Sequence, residues 1–167
     1  SEASYKSSRT GIEIQATYKM SDTNTIVAGA TYEEQKAYDI TSSGNYLPIP
    51  SWPIVVTPFP SGQEWPDEYV MDTEKRNFKG VFLEDIWDIT ENLRLTTGAR
   101  YDHYSDFGGE VSPRVGLTWE YLKGYDLKLL YGHAFRAPSF FEAYAPGTGN
   151  PDLDPETIDT YEVSLGA

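Results

Sequence analysis

The sequence predicts an all-β protein whose antiparallel strands run up and down in chain order. Seven segments of the 167-residue chain alternate between apolar and polar residues, which is the pattern of a strand with two different faces. Most of these segments reach the roughly 9 to 11 residues that a tilted strand needs to cross a bilayer. The connections alternate between short and long, like the periplasmic turns and extracellular loops of transmembrane β-barrels. We therefore predict a fragment of a transmembrane β-barrel.

The predicted strands follow one another along nearly the whole chain. They comprise residues 9–20, 25–36, 76–89, 93–104, 112–121 and 126–135, and a seventh strand that begins near residue 156 and is still running at residue 167. Six of them have an apolar face. These faces carry Ile12, Ile14, Ala16, Tyr18 and Met20; Ile26, Ala28, Ala30 and Tyr32; Leu93, Leu95, Thr97, Ala99 and Tyr101; Val115, Leu117, Trp119 and Tyr121; Leu127, Leu129 and Tyr131; and Tyr161, Val163 and Leu165. The seventh segment also contains Ile158. The third strand has an acid on each face, Glu84 on one and Asp85 on the other.

The connections fall into two classes that alternate along the chain. Residues 21–24, 90–92 and 122–125 are predicted to form tight turns, whereas residues 37–75, 105–111 and 136–155 are predicted to form longer loops. This order places every longer loop at the same end of the sheet. A soluble meander has no reason to separate its loops in this way, but an outer-membrane barrel does.

Aromatic residues are predicted to lie near both ends of the strands. Trp87, Trp119, Tyr121 and Tyr125 lie beside the short turns, and Tyr32, Tyr101, Tyr104 and Phe135 lie near the longer loops. Two aromatic girdles at the membrane interfaces would explain this distribution, because amphipathic rings settle there. The alternative is that these rings cap the core of a soluble sheet.

The composition argues against several classes of protein. A formal net charge of −13 makes nucleic acid an unsuitable partner, because binding phosphate backbones needs clustered Lys and Arg. The chain has no Cys, so it forms neither a disulfide nor a thiolate metal site. It has no apolar run of about 18 residues that would predict a transmembrane helix. Its start does not read as a signal peptide, and we expect the chain to be part of a longer protein.

The residue pattern does not indicate an enzyme. His103 and His133 are the only histidines, and neither has a Ser or Cys nucleophile and an acid at a recognisable catalytic spacing. Acidic residues cluster in two places, at Asp152, Asp154 and Glu156 and at Asp67, Glu68 and Asp72. A calcium site is the alternative there, but neither cluster has the spacing of an EF-hand. We therefore predict no catalytic residue, no bound metal and no cofactor.

The predicted loop 37–75 is rich in aromatic residues and Pro. Its candidate ligand-binding residues are Tyr46, Trp52, Trp65 and Tyr69. Long loops tend to be functional or disordered, and rings on a Pro-stiffened loop could hold a planar or ring-shaped ligand at low entropic cost. The alternative is that the rings only fold the loop over the mouth of the barrel.

Several stretches resemble the β-barrel of TonB-dependent outer-membrane receptors. They are FRAPSF at residues 135–140, GNPDLDPET at 149–157, TYE at 160–162, TTGARYDHYSDF at 96–107 and SPRVGLTWEY at 112–121. They occur in the order and at the spacing expected of consecutive barrel strands. The resemblance covers about half of the chain, and the first strands match the family only in their pattern.

This resemblance implies a location, a cargo class and partners. Residues 1–167 would be a partial receptor barrel of about seven strands, in contact with lipid in the outer membrane of a Gram-negative bacterium. Receptors of this family take up scarce, bulky nutrients such as ferric siderophores, haem, cobalamin or glycans, and ferric siderophore uptake is the commonest role. TonB supplies the energy by pulling on a plug domain, which is not recognisable in this sequence.

The resemblance also orients particular side chains. Arg136 would lie where the sixth strand meets its extracellular loop and would point toward the lumen, where it could bind ligand, pair with an acid or hold the loop. In the third strand, Glu84 would face the lumen, whereas Val81 and Leu83 would face lipid. Asp85 would then lie near the lower membrane interface.

Two alternatives to the receptor remain at this point. One is a piece of a passive, porin-like barrel with an open lumen. The other is a soluble β-sandwich that binds carbohydrate through its loop aromatics. The sandwich predicts that Ile12, Leu95, Leu117 and Leu129 form a buried core.

Overall fold

The computed structural model describes most of the backbone and the side chains of the long strands. The described backbone comprises residues 2–43, 46–48, 56–58, 68–71, 73–144 and 149–166, and the described side chains belong to residues 6–38, 73–144 and 149–166. The strands are β1 (Glu2–Lys19), β2 (Asn24–Ser43), β3 (Tyr46–Pro48), β4 (Val56–Pro58), β5 (Glu68–Met71), β6 (Glu74–Thr90), β7 (Leu93–Tyr104), β8 (Gly108–Leu122), β9 (Tyr125–Arg136) and β10 (Glu156–Gly166), with helix α1 at Phe140–Tyr144. No helix in these ranges is long and apolar enough to span a membrane.

Seven long strands form one antiparallel sheet in the order β1-β2-β6-β7-β8-β9-β10. Each long strand therefore pairs with the next long strand along the chain, which confirms the predicted up-and-down fold. The short strand β5 pairs with β2, and β3 pairs with β4 in a separate two-stranded sheet. The seven predicted segments correspond to β1, β2, β6, β7, β8, β9 and β10.

Two predicted loops are shorter than the sequence indicated. Strand β2 continues to Ser43 along β1, so the ladder covers the first residues of the predicted loop 37–75. The predicted loop 105–111 was wrong, because β8 already begins at Gly108, opposite Tyr104. Gly108 adopts a φ of 96°, which closes a tight turn that few other residues could form. Gly108 and Gly109, which the sequence pattern assigned to a loop, therefore belong to the turn and to the start of β8.

The sheet has two chemically different faces. On the outer face, Leu95 lies opposite Leu117, which lies opposite Leu129, which in turn lies opposite Val163. The inner face carries charged pairs, such as Arg100 with Asp102 and Arg114 with Glu84. Residues directly opposite in an antiparallel ladder project to the same side, so each face extends across neighbouring strands.

The apolar outer face does not form a buried core. Ile12 is 62% exposed and Val163 is 70% exposed. The soluble sandwich predicted that Ile12, Leu95, Leu117 and Leu129 would form a buried core, but none of the four is buried. An apolar surface that extends over seven strands has the chemistry expected of a contact with lipid.

The two predicted aromatic clusters have different outcomes. The rings of Trp119, Tyr121 and Tyr125 contact one another and remain exposed beside the short turns. At the other end, the ring of Tyr104 faces inward and packs 4.8 Å from that of Phe78 and 6.1 Å from that of Phe135, which belongs to the same predicted cluster. Tyr104 lies directly opposite Phe78, whose position is on the inner face.

Candidate functional site

The inner face presents charges in pairs around a hollow. Arg100 donates from Nε to Asp102 at 2.7 Å, and its guanidinium lies 5.5 Å from the ring centre of Phe78. Arg114 forms an ion pair with Glu84, two strands away. Arg100, Arg114 and Glu84 border a hollow of about 520 Å³, which Gln15 and Phe82 also line. The wall is polar but nearly neutral in charge, since each guanidinium has a carboxylate beside it.

A segment that follows β9 crosses over the loop end of the sheet. Residues 137–144, here called the crossing segment, leave β9 after Arg136 and end in α1. Phe140 and Tyr144 of α1 pack against the buried Ala37 of β2. In the sheet order, β9 is separated from β2 by β8, β7 and β6. The crossing segment therefore folds back toward the first half of the sheet and narrows the opening of the inner face.

The buried side chain of Arg76 anchors the crossing segment. Arg76 is only 3% exposed and lies at the start of β6. Its Nη1 donates to the carbonyl oxygen of Pro138 at 2.8 Å, and its Nε donates to Asp106 Oδ2 at 2.7 Å. The guanidinium also lies 4.8 Å from the ring centre of Phe140 and 5.2 Å from that of Phe107. One cation thus joins β6, the β7–β8 turn and the crossing segment.

Asp106 receives a second donor from α1. The Tyr144 hydroxyl donates to Asp106 Oδ2 at 3.1 Å. Burial, together with this hydrogen bond to a carboxylate, raises the pKa of Tyr144 above its ordinary value, so the phenol remains a donor at neutral pH. Sequence reasoning missed Arg76 and Asp106 because their partners come from distant parts of the chain.

Arg136 fastens the other end of the crossing segment. Its Nε donates to Glu156 at 2.9 Å, while Nη1 and Nη2 bind the two oxygens of Glu142 at 3.0 Å each. The carboxylate of Glu142 also accepts from the backbone N–H of Ser139 at 2.8 Å, and the Glu142 N–H donates back to Ser139 Oγ at 3.2 Å. This reciprocal arrangement is a capping box, which starts α1 at Phe140.

These donors make Glu142 an unusually strong acid. The hydrogen bonds from Arg136 contribute most and those from Ser139 add to them, and together they lower the pKa of Glu142 to about 2. The carboxylate therefore stays ionised at any pH at which the protein would normally work. A fixed charge at this position keeps the guanidinium of Arg136 engaged.

A groove of about 600 Å³ lies between the crossing segment and the loop ends of β1 and β2. Arg9, Arg76, Tyr104, Phe140 and Phe141 are among the residues that line it. Its cations already have partners, since Arg9 pairs with Glu33 at 3.1 Å and Arg76 pairs with Asp106. The groove thus combines aromatic surface with largely compensated charge, which suits a bulky organic ligand better than a bare ion.

One of the two histidines and one of the clustered acids have structural partners. His133 Nδ1 lies 2.9 Å from Asp159 Oδ1, and Tyr131 donates to the same oxygen at 3.0 Å. Glu156, in the acidic cluster considered for calcium, is engaged by Arg136. Among the residues that the structure describes, no group of three or more potential ligands could hold a metal ion.

Residues 56–166, well over half of the chain, match the family model described as TonB dependent receptor-like, beta-barrel. The chain belongs to the TonB-dependent receptor family. Comparison with curated proteins agrees with this assignment. The chain is 27% identical over 111 residues to the vitamin B12 transporter BtuB of Vibrio cholerae, a match that covers 64% of this chain and 18% of the transporter. It is 38% identical over 93 residues to the iron-regulated outer membrane virulence protein of Vibrio cholerae, covering 50% of this chain and 14% of that protein.

Solved structures of TonB-dependent receptors share the fold. The siderophore receptor PirA from Pseudomonas aeruginosa superposes with a TM-score of 0.70 at 19% identity, covering 98% of this chain and 28% of PirA. PirA from Acinetobacter baumannii gives a TM-score of 0.69 at 19% identity, covering 96% and 24% of the two chains. The chain therefore spans less than a fifth of the length of the curated relatives and about a quarter of these structures.

Of the five predicted ligand-binding residues of this receptor chain, only Arg136 has both its backbone and its side chain in the described part of the structure. Arg136 lies at the end of β9 on the inner face, as expected, and pairs with two acids. The backbones of Tyr46 and Tyr69 belong to β3 and β5, but their side chains lie outside the described residues. Trp52 and Trp65 lie wholly outside the described part of the chain. Their ligand roles remain predictions.

The orientation predicted for the third receptor strand is confirmed. Glu84 faces inward to Arg114, whereas Val81 and Leu83 are exposed on the opposite face. Asp85 also lies on the outer face, where Asn24 donates to it at 2.6 Å. Asn24 begins β2 just after a short turn, so this acid is satisfied near the turn end of the sheet.

Proposed function

We propose that this chain is part of the barrel wall of an outer-membrane receptor that imports a ferric siderophore with energy delivered through TonB. The observation that carries the proposal is the two-faced sheet, apolar outside and lined with paired charges inside. Such a wall requires lipid on one side and a polar interior on the other. A non-enzymatic role follows from this proposal, since the inner face binds and guides rather than reacts.

Iron cargo is supported by the relatives. One of them is named as iron-regulated, and two of the structures that share the fold are siderophore receptors. Cobalamin is the second candidate cargo, because the match to the vitamin B12 transporter covers 64% of the chain. Haem, which the family resemblance also allows, is not favoured by a specific observation.

Uptake by the native organism tests the proposal directly. Cells with and without the parent protein would be given radiolabelled ferric enterobactin or radiolabelled cobalamin, with TonB present or deleted. We expect iron accumulation to require both the parent protein and TonB. If cobalamin accumulation instead required both the parent protein and TonB, the cargo would be cobalamin and not a ferric siderophore. Accumulation that required the parent protein but not TonB would indicate a passive barrel.

Fractionation of the same cells tests the location. The tryptic peptide of residues 115–123 should follow the outer-membrane fraction in a protein several times the size of this chain. A soluble product of about the chain's own 18.8 kDa would contradict the proposal.

The aromatic loop residues belong to this proposal as the cargo-contacting group. Replacing Tyr46, Trp52, Trp65 and Tyr69 together with Ala in the parent protein should weaken siderophore binding at least tenfold, as expected from the loss of several aromatic contacts. The matched control replaces Trp119, Tyr121 and Tyr125, which lie at the opposite end of the strands. Unchanged affinity in the loop variant would rule out these aromatics as the binding site.

A further inference from the structure

Four of the seven lysines converge on the outer face at the loop end of β1, β2 and β6. They are Lys6, Lys36, Lys75 and Lys79. Lys36 lies directly opposite Lys75 in the ladder, and Lys79 lies between Tyr32 on one side and His103 on the other. Three neighbouring strands thus bring together lysines that are up to 73 positions apart in the sequence, from 6 to 79.

Burial assigns the two lysines of β6 to the outer face, and Lys36 projects to the same side because it lies directly opposite Lys75. Lys75 and Lys79 are exposed, whereas Arg76, Phe78 and Gly80 between and beside them are buried. This alternation points the even-numbered residues of β6 inward and the lysines outward. His103, which is exposed beside Lys79, adds a fourth basic group to the three lysines of β2 and β6.

Lys6, Lys36, Lys75, Lys79 and His103 form a patch, which is positively charged in a chain whose net charge is strongly negative. Glu34 is the one acid among the described outer-face side chains of this patch, and Lys36 Nζ lies 2.7 Å from its Oε1. Lys75 and Lys79 have no such acid opposite them in the ladder, where they face Lys36, Tyr32 and His103. The excess of cations contrasts with the net charge of −13 for the whole chain.

The patch lies just beyond the apolar band. Tyr32 and Tyr101 are exposed on the outer face at this end, and the Tyr32 hydroxyl donates to Asn77 at 3.4 Å. Lys79 is in the row of Tyr32, and Lys75 lies four residues farther out, roughly 13 Å along the strand. The lysines therefore begin at the aromatic boundary and extend through the depth expected of lipid headgroups.

We propose that Lys36, Lys75 and Lys79 form a binding surface for the phosphate groups of lipid A, the phosphorylated glycolipid of the outer leaflet. Lysine is a compact cation that binds phosphate well, and its stem can lie along apolar surface while the ammonium group reaches a headgroup. The positive charge that complements lipid phosphate is specific to the loop end of the strands. The described outer face near the short turns carries the acid Asp85 instead. This inference rests on the proposed outer-membrane location.

The test compares two triple variants of the full-length parent protein extracted from its native membrane. The patch variant combines Lys36→Gln, Lys75→Gln and Lys79→Gln, which removes the three lysines of the proposed binding surface. The control combines Lys19→Gln, Lys123→Gln and Lys128→Gln, which lie near the short turns and remove the same total charge. Native mass spectrometry would count the lipid A molecules that remain bound to each protein.

We expect the native protein and the control to retain lipid A and the patch variant to retain at least fivefold less. Binding to nanodiscs with added lipid A should show the same order, and lipid A stripped of its phosphates should bind all three proteins equally weakly. Equal retention by the native protein and the patch variant would overturn the inference. So would equal binding of the native protein to the phosphorylated and dephosphorylated lipids.

Fractionation and siderophore uptake in the same cells separate this inference from the proposed function. A native protein that is in the outer membrane and imports iron, but whose patch variant keeps its lipid A, would refute the lipid surface alone. A native protein found outside the outer membrane would refute both.

Discussion

Arg76 links three parts of the chain at the level of a single side chain. It is buried, it pairs with Asp106, and it holds the backbone of Pro138. Arg136 could be oriented from the sequence because it lies in the stretch FRAPSF, which resembles the receptor barrel. Arg76 could not, because Asp106 and Pro138 are 30 and 62 positions away. By contrast, the capping box of Ser139 and Glu142 is a local pattern that the sequence does display.

Replacing Arg76 with Ala in the parent protein should cost about 3–5 kcal/mol of stability, because Asp106 would lose its buried partner. Arg76→Lys should recover only part of this loss, since an ammonium group cannot reproduce the planar contacts with Phe107 and Phe140. The control is Arg94→Ala, which breaks an exposed pair with Asp88 and should cost no more than about 1 kcal/mol. Urea unfolding in detergent measures all three, and equal costs for Arg76→Ala and Arg94→Ala would contradict the anchoring role.

Glu142 should make the crossing segment sensitive to acid. Its pKa is lowered to about 2 in the folded protein, from 4.5 without its partners. The stabilisation is therefore complete above about pH 4.5 and is lost progressively as the pH falls toward 2. Glu142→Gln should be less stable than the native protein at pH 6, and the difference should shrink over this window. Thermal unfolding between pH 6 and 2.5 checks this, with Glu91→Gln in an exposed turn as the control; a difference that stays constant with pH would be inconsistent with the clasp.

At the level of elements, period-two alternation predicts that strands exist better than it predicts where they end. The cores of all seven long strands follow from residues such as Ile12, Leu95 and Leu129. The ends do not, because β2 continues past residue 37 through pairing with β1, and Gly108 and Gly109 extend β8 toward β7. Ladder pairing with a distant strand fixes those bounds, and a local pattern carries no information about it.

Substitution by Arg should affect stability very differently on the two faces of β7 and β8. Val115 is exposed on the outer face, about midway between Val111 and Trp119 of the same strand. Val115→Arg should destabilise the parent protein in lipid by about 2–4 kcal/mol, the cost of a cation near the membrane midplane. Thr96→Arg on the inner face, opposite Gly116, should change stability by no more than about 0.5 kcal/mol. Unfolding in lipid vesicles measures both, and similar costs would mean that the faces are wrongly assigned.

The whole sheet has two edges, β1 and β10, which pair on one side only within the described chain. Unpaired backbone N–H and C=O groups cannot face lipid without a cost of several kcal/mol each, so a barrel must pair both edges. The alternation of the strands predicts the sheet but carries no information about which strand pairs with each edge; the chain spans 18% of the vitamin B12 transporter and 28% of PirA.

Backbone exchange distinguishes an edge that is paired from one that is open. In the parent protein we expect the amides of Glu156–Gly166 to be protected along the whole of β10, because strands on both sides accept their hydrogen bonds. In this chain alone, held in detergent, only amides directed toward β9 should be protected, and the alternating amides should exchange rapidly. The amides of β8 serve as the internal reference, since that strand has neighbours on both sides in either protein. Equal protection of β10 in both proteins would mean that the seven strands close on themselves or on a second copy, and the barrel wall would then be a complete unit rather than a segment.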